Sequence, residues 1–278
     1  NENYNSKNLD LNSIKIITST GSPLAEESFK YVYENIKQDV HLASIAGGTD
    51  LVGCLILCNL YSNVYKGEIQ GQSLGIDIDV FTDDGKSTSD AEKGELVVKS
   101  PFPSMPVKFW DDDNGQKYYN AYFTKFKNIW HHGDFIEKTS NNGFIMRGRS
   151  DATLNPGGVR IGTSEIYQQV EDIDFIIEGL VVGQNYDDDV RIILFVTTKN
   201  DEELDEDKIK SIKSRIRKNC SPKHVPSIIK KVPEIPRTKS GKIVELAVRK
   251  LINGEEINNK EAIANPDCLN YFRNLKDL

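Results

Sequence analysis

The chain has 278 residues, of which 38% are hydrophobic and 28% charged, enough for one large core or two smaller ones. A formal charge of −7 argues against nucleic-acid binding through overall positive charge and favours a small anionic ligand held by a local basic patch. No apolar run approaches the roughly 20 residues of a membrane helix, and Asn1-Glu2-Asn3-Tyr4-Asn5 lacks the basic and apolar regions of a signal peptide; the expectation is a cytosolic protein with no membrane partner, its numbering beginning inside a longer chain because no Met initiates it.

The run Ile14 to Gly21 reads as a short strand ending in glycine, with Ser22-Pro23 offering a helix cap and a proline at the first helical position. The helix that follows should bury Phe29, Val32, Tyr33 and Ile36, with Glu26 and Glu27 near its positive end. His41 to Ile45 reads as a second strand. It leads into Ala46-Gly47-Gly48-Thr49-Asp50 and then an apolar stretch, Leu51 to Leu60, expected to be helical and to carry Cys54 and Cys58 as buried or incidental thiols. Glycines that admit close backbone approach, beside a hydroxyl and a carboxylate, suit a phosphate and its magnesium. By itself Gly-Gly-Thr-Asp is a weak signal, more often an ordinary connector.

From Leu74 to Lys99 the pattern is that of a small β-subdomain, with Asp83-Asp84-Gly85 as a turn and Gly94 to Val98 as a strand. Trp130 to Glu137 and Gly143 to Arg147 flank Thr139-Ser140-Asn141-Asn142, good hairpin chemistry, and place Asp134 in the first hairpin strand. His131 and His132 point to opposite faces of that strand, and no further Cys/His cluster follows, so a zinc site is not expected.

At Gly148-Arg149-Ser150-Asp151 the pattern changes, and a domain boundary is expected at Asp151: residues 1–150 in one domain and 151–278 in another. The glycine-rich Asn155 to Gly162 precedes a helix capped by Thr163 and ending near Glu171. Strands Ile176 to Val182 and Arg191 to Thr197 flank the acidic turn Asn185 to Asp189, and a basic helix follows with Ile209, Ile212 and Ile216 on its apolar side. This describes a compact α+β domain of ordinary size. Near the end, Pro233 to Lys242 joins rigid prolines, a glycine and several cations, and suits a lysine carried to a phosphate or carboxylate by a mobile loop, although a solvated basic loop accounts for most such clusters. The helix after it should pack through Leu246, Val248 and Leu251.

The motifs occur in the order Gly21-Ser22-Pro23, Gly47-Gly48-Thr49-Asp50, His132-Gly133-Asp134, Gly148-Arg149-Ser150-Asp151 and Thr238-Lys239-Ser240-Gly241-Lys242. That order resembles the adenylate-forming acyl-CoA synthetase superfamily. The stretches Gly148 to Thr163, Val244 to Val248 and Ala262 to Pro266 resemble specifically the acetoacetyl-CoA synthetases within it, and the resemblance covers essentially the whole chain.

What the resemblance implies is an α/β tail of a large nucleotide-binding domain, with a small β-subdomain, followed by a compact α+β lid. It implies that Gly21, Ser22 and Pro23 line adenine and that Ser44, Ile45, Ala46, Gly47, Gly48 and Thr49 pass the α-phosphate and acyl group. Thr49 would bond phosphate, Asp50 would hold Mg2+, and Asp134 with Arg149 would take the ribose hydroxyls of ATP or AMP. Lys242 would be the catalytic cation of adenylation and Asp151 the hinge. Gly157 and Gly158 would pass the pantetheine of coenzyme A, with Arg160 and Arg217 meeting CoA or nucleotide phosphates. Acetate-activating relatives carry tryptophan where Gly47 stands, which implies an acyl pocket opened at Gly47 and Gly48 for a longer acid such as acetoacetate. The superfamily's Ser/Thr/Gly-rich triphosphate loop is not found in these residues, so the chain is expected to need an upstream part of the same enzyme and to be inactive alone. A ligase for another short acid and a non-catalytic nucleotide-binding segment are the alternatives.

Overall fold

A computed structural model describes residues 9–257, 260–273 and Leu275. The expectation about Asn1 to Asn5 lies outside the described residues. The chain divides into two compact units, Asn1–Met146 and Arg147–Leu278, and the change of character expected at Asp151 falls just inside the second.

In the first unit, β1 (Ile16–Ser19) pairs in parallel with β2 (His41–Ser44), Ser19 lying opposite Ser44 at their common end. Between them runs α1 (Glu26–Tyr31), which widens into a π-helical turn over Val32–Ile36. The helix starts later than expected: Ala25 precedes its first turn with no side-chain cap, and Ser22-Pro23 stay in the connecting turn. Of the four apolar residues assigned to its inner face, Phe29 is buried and Val32, Tyr33 and Ile36 are half-buried.

Next come β3 (Ala46–Gly48), β4 (Gly53–Leu57) and β5 (Gly71–Gln72), an antiparallel three-stranded sheet. The helix expected over Leu51 to Leu60 is therefore a turn and a strand. A short apolar run does not distinguish buried helix from buried strand by periodicity, and here pairing on both sides of β4 decides. Val52, at φ 49°, makes the tight turn into β4, which buries Leu55 and Ile56. All four cysteines are free thiols.

The larger sheet of this unit has the order β6 (Ile78–Phe81), β7 (Lys93–Val98), β8 (Trp130–Lys138) and β9 (Phe144–Arg149). The Thr139–Asn142 hairpin is closed by Thr139 N–H to the Gly143 carbonyl at 3.0 Å, with Asn142 in the left-handed region. Helix α2 (Gln116–Tyr122) is capped by Asp112, whose carboxylate accepts from Lys117 N–H at 2.9 Å and Tyr118 N–H at 2.8 Å. Its Tyr118 and Tyr122 join Leu55, Leu96 and Trp130 in the core.

The second unit is built on β10 (Ile176–Tyr186), β11 (Asp189–Thr198) and β12 (Ile228–Lys231), with β10 antiparallel and β12 parallel to β11. Helices α3 (Thr163–Val170) and α4 (Glu206–Asn219) precede and follow the β10–β11 hairpin, and α5 (Glu245–Ile252) comes after β12. Strand periodicity sends Val181 and Leu194 into the core shared with Ile166, Ile212 and Ile216, and their neighbours Leu180, Val182, Ile193 and Phe195 into the core shared with Val248 and Phe272. Apolar residues on both faces are why these strands read as continuous hydrophobic runs.

Two local expectations change. Thr163 is the first residue of α3, not its cap; the cap is Gly162, whose N–H donates to Glu165 Oε1 at 2.9 Å. A side chain at Gly162 would overlap the Arg147 carbonyl, which excludes other residues there. In α5, Leu246 is exposed and Ala247 takes the inward position beside Val248. Among the described residues no helix is long and apolar enough to cross a membrane.

Candidate active site

Because Ser19 and Ser44 lie side by side at the ends of parallel strands, the segments that follow them leave the sheet together. Gly21, at φ 98°, turns the first away into Ser22 and Pro23; Ile45, bonded through its N–H to the Ser19 carbonyl at 2.9 Å, starts the second into Ala46, Gly47, Gly48 and Thr49. Backbone groups at the carboxyl ends of parallel strands form a common ligand crevice in α/β folds.

The glycine pair in this segment is demanded by packing. A Cβ at Gly47 would overlap the Gly53 carbonyl oxygen and the Cys54 Cα, so the glycine is set by the close approach of β4. Packing thus gives this glycine a reason apart from the room for an acid that the resemblance implies. A Cβ at Gly48 would fall on the Asp50 carboxylate and 3.1 Å from His132 Cε1. Two motifs far apart in sequence, Gly-Gly-Thr-Asp and His-Gly-Asp, thus meet at Gly48.

Their meeting is fixed by aromatic rings. Tyr122 donates its hydroxyl to the Asp50 carboxylate and stacks on Trp130 with centroids 3.6 Å apart and planes 13° from parallel. Trp130 donates its indole N–H to His132 Nδ1 at 3.3 Å. That bond requires Nδ1 without a proton, so in the neutral ring Nε2 carries it, directed at Asp134 Oδ2 at 3.7 Å. Trp130, His132 and Asp134 are all buried and adjoin one another where the β7–β8 register shifts and Gly133 takes φ 82°. His131 pairs with the buried Glu95 at 2.9 Å, which Lys125 also meets at 2.6 Å. The sequence pointed to His132 through the His-Gly-Asp motif but not to Tyr122 and Trp130 as its support, since Tyr122 reaches Asp50 across 72 positions.

In the second unit the Gly157-Gly158 turn is held by Asp189, whose carboxylate accepts Gly157 N–H through both oxygens at 2.8 and 3.0 Å. The N–H groups of Val190 and Gly157 hold that carboxyl below its usual range. Both glycines are left-handed, at φ 56° and 77°; a side chain at Gly157 would run into Lys223 Nζ, while Gly158 faces open space. Beside Gly158 is an open depression of about 660 Å3 bordered by Asn155 and the Asp187-Asp188-Asp189 turn. Its acidic rim disfavours phosphates and suits an uncharged chain. Arg160 is half-buried in the loop closed by Leu154 and Ile161, which exchange backbone hydrogen bonds at 2.9 Å. Arg217 is exposed in the last turn of α4. Arg149 lies 3.5 Å from Asp151, both side chains about half exposed.

Lys242 is exposed, but its segment is a closed hairpin where a loose loop was expected. Thr238 N–H donates to the Lys242 carbonyl at 2.8 Å and Lys242 N–H to Thr238 Oγ1 at 3.0 Å. Arg237 binds the Gly241 carbonyl at 2.6 Å and pairs with Glu178 of β10. The ammonium group is thus presented from a braced turn.

No protein-family model matches the chain. It is 56% identical over 269 residues to acetoacetyl-coenzyme A synthetase of Rhizobium meliloti, a match covering 97% of this chain and 41% of that protein. To acetoacetyl-CoA synthetase of Gallus gallus it is 44% identical over 271 residues, 97% of this chain and 40% of that protein. The solved acetoacetyl-CoA synthetase from Streptomyces lividans superposes with a TM-score of 0.89 at 37% identity, over 98% of this chain and 42% of that one. A benzoate CoA ligase from Burkholderia xenovorans, at 23% identity and TM-score 0.72 over 85% of this chain and 46% of that one, shares the fold. The chain spans about 40% of the length of the relatives it matches. Over that span, the chain is similar to the acetoacetyl-CoA synthetases.

Proposed function

We propose that the chain forms part of an ATP-dependent acid–thiol ligase whose acid is acetoacetate. The observation that carries this is the meeting of Gly-Gly-Thr-Asp with His-Gly-Asp at Gly48, braced from beneath by Tyr122 and Trp130, in a chain whose relatives are named for acetoacetyl-CoA. In the first half-reaction the acid's carboxylate attacks the α-phosphate of ATP and pyrophosphate leaves. The Thr49 hydroxyl donates to a non-bridging oxygen, Asp134 with Arg149 receives the ribose hydroxyls, and the Gly21-Ser22-Pro23 turn receives adenine. Lys242 neutralises the charge that gathers around phosphorus, electrostatic help commonly worth several kcal/mol of barrier. In the second half the CoA thiol attacks the acyl carbonyl and AMP leaves. Gly157 and Gly158 let the pantetheine arm pass without meeting a Cβ, Arg160 and Arg217 receive phosphates, and Asp151 is the pivot between half-reactions.

Asp50 is the candidate magnesium ligand. Among the described residues no group of three or more metal-binding side chains occurs, and a lone carboxylate steadied by Tyr122 fits an ion that takes most of its ligands from phosphate and water. Bound there, Mg2+ would neutralise phosphate charge.

Acetoacetate-dependent ATP–pyrophosphate exchange tests the proposal. A chain extended upstream to its relatives' full length should exchange with acetoacetate in preference to acetate, propionate and benzoate, and the 278-residue chain alone should not exchange. Robust exchange by the short chain, or a preference for another acid, would overturn it.

A further inference from the structure

Glu245 opens α5, three positions beyond Lys242, and its carboxylate is turned into the second unit. Tyr167 of α3 donates its hydroxyl to Glu245 Oε1 at 2.5 Å and accepts Val181 N–H of β10 at 3.1 Å. The Thr163 hydroxyl bonds the same carboxylate. Four residues along α5, Arg249 bonds the backbone carbonyl of Asp151, and Gly148 lies so close to Thr163 that a Cβ there would stand 2.9 Å from Oγ1. The segments of Lys242 and of Asp151 therefore join the same small cluster.

The groups around Glu245 are Tyr167 and Thr163 from α3, with Glu171 one turn further along; Asp151 from the segment before α3; the Val181 N–H from β10; and Arg249 on α5 itself. Burial pushes its carboxyl up to about 7, against the two hydroxyl bonds and with added repulsion from Asp151. An ionisable side chain set inward against hydroxyls costs more than an apolar one of similar size, so packing alone does not account for it.

We propose that Glu245 is a positioning residue for Lys242, tying the base of its hairpin to α3 and, through α3 and Arg249, to the 148–151 segment. Arg237 braces the start of the hairpin through Glu178; Glu245 braces its end. The inference rests on Lys242 acting in adenylation, and its test separates the two. The first readout is limited trypsin digestion of the 278-residue chain, taking the rate of cleavage at Lys239 and Lys242 relative to Lys86, an exposed lysine of the first unit. Glu245→Ala and Tyr167→Phe should raise that ratio, by roughly tenfold for the alanine variant, the factor that losing the two side-chain hydrogen bonds of Glu245 supplies. Glu245→Gln, which keeps an acceptor for both hydroxyls, should leave it near the unsubstituted value. The second readout is the two half-reactions in the extended chain: Glu245→Ala should slow adenylate formation with the KM for ATP unchanged and thioester formation spared, and Glu245→Gln should restore it. An unchanged cleavage ratio in Glu245→Ala, or equal loss in both half-reactions, would overturn the tether. If Lys242→Ala adenylates normally, the role of Lys242 falls, and the cleavage ratio still judges the tether.

Discussion

In the first unit Asp50 and Asp134 are steadied from beneath: Tyr122 and Trp130 are buried, stacked face to face, and each passes a hydrogen bond upward, one to Asp50 and the other through His132 toward Asp134. In the second unit Gly157 and Lys242 are held from the side, by carboxylates that grip backbone or brace a hairpin at the surface. Rings in a core are fixed by packing and fail with the core. Carboxylate tethers are single electrostatic contacts and respond to pH and to one-atom changes. The first kind of support resists small changes and the second can be tuned by them.

The contrast can be broken by substitution, beginning where the effect is largest. Trp130→Ala removes a ring from the centre of the first core and should cost about 3–5 kcal/mol, read as a lower urea midpoint for the first unit with the second unchanged. Stability should also depend on pH through Glu245. Its folded pKa of about 7 lies above the ordinary 4.5, so the fold holds the proton more tightly than the unfolded chain. The stability it contributes is complete below about 4.5 and lost as pH rises through about 7, a change of at most about 3 kcal/mol. The difference in unfolding free energy between the unsubstituted chain and Glu245→Gln should track that window, and a flat difference would remove the titration. Gly47→Ala drives a methyl into the β4 backbone and should destabilise the first unit by about 1–3 kcal/mol, measured by thermal unfolding; a neutral result would remove packing as the reason for the glycine. Smallest, Tyr122→Phe keeps the stack and deletes one hydrogen bond to Asp50, about 1 kcal/mol, and should raise the Mg2+ concentration required for adenylation more than it lowers the unfolding midpoint.

Much of the frame was legible before the structure because it depends on local chemistry. The β8–β9 hairpin follows from Thr139 to Asn142, and β10 and β11 from two apolar runs around an acidic turn. The stretch Leu51 to Leu60 was misjudged because only its partners β3 and β5 choose strand over helix. The supports of the site were hidden for a related reason: Tyr122 reaches Asp50 across 72 positions and Tyr167 reaches Glu245 across 78. No local pattern announces such pairs. Motif order singled out candidate residues, and tertiary packing alone disclosed what holds them.

The most direct test is Lys242→Ala in the extended chain, with the two half-reactions measured separately. Adenylate formation should fall roughly 10²- to 10³-fold, the loss typical of one missing electrostatic contact to a charged transition state, while thioester formation from supplied acetoacetyl-adenylate continues near the unsubstituted rate. Equal loss in both half-reactions would contradict the account.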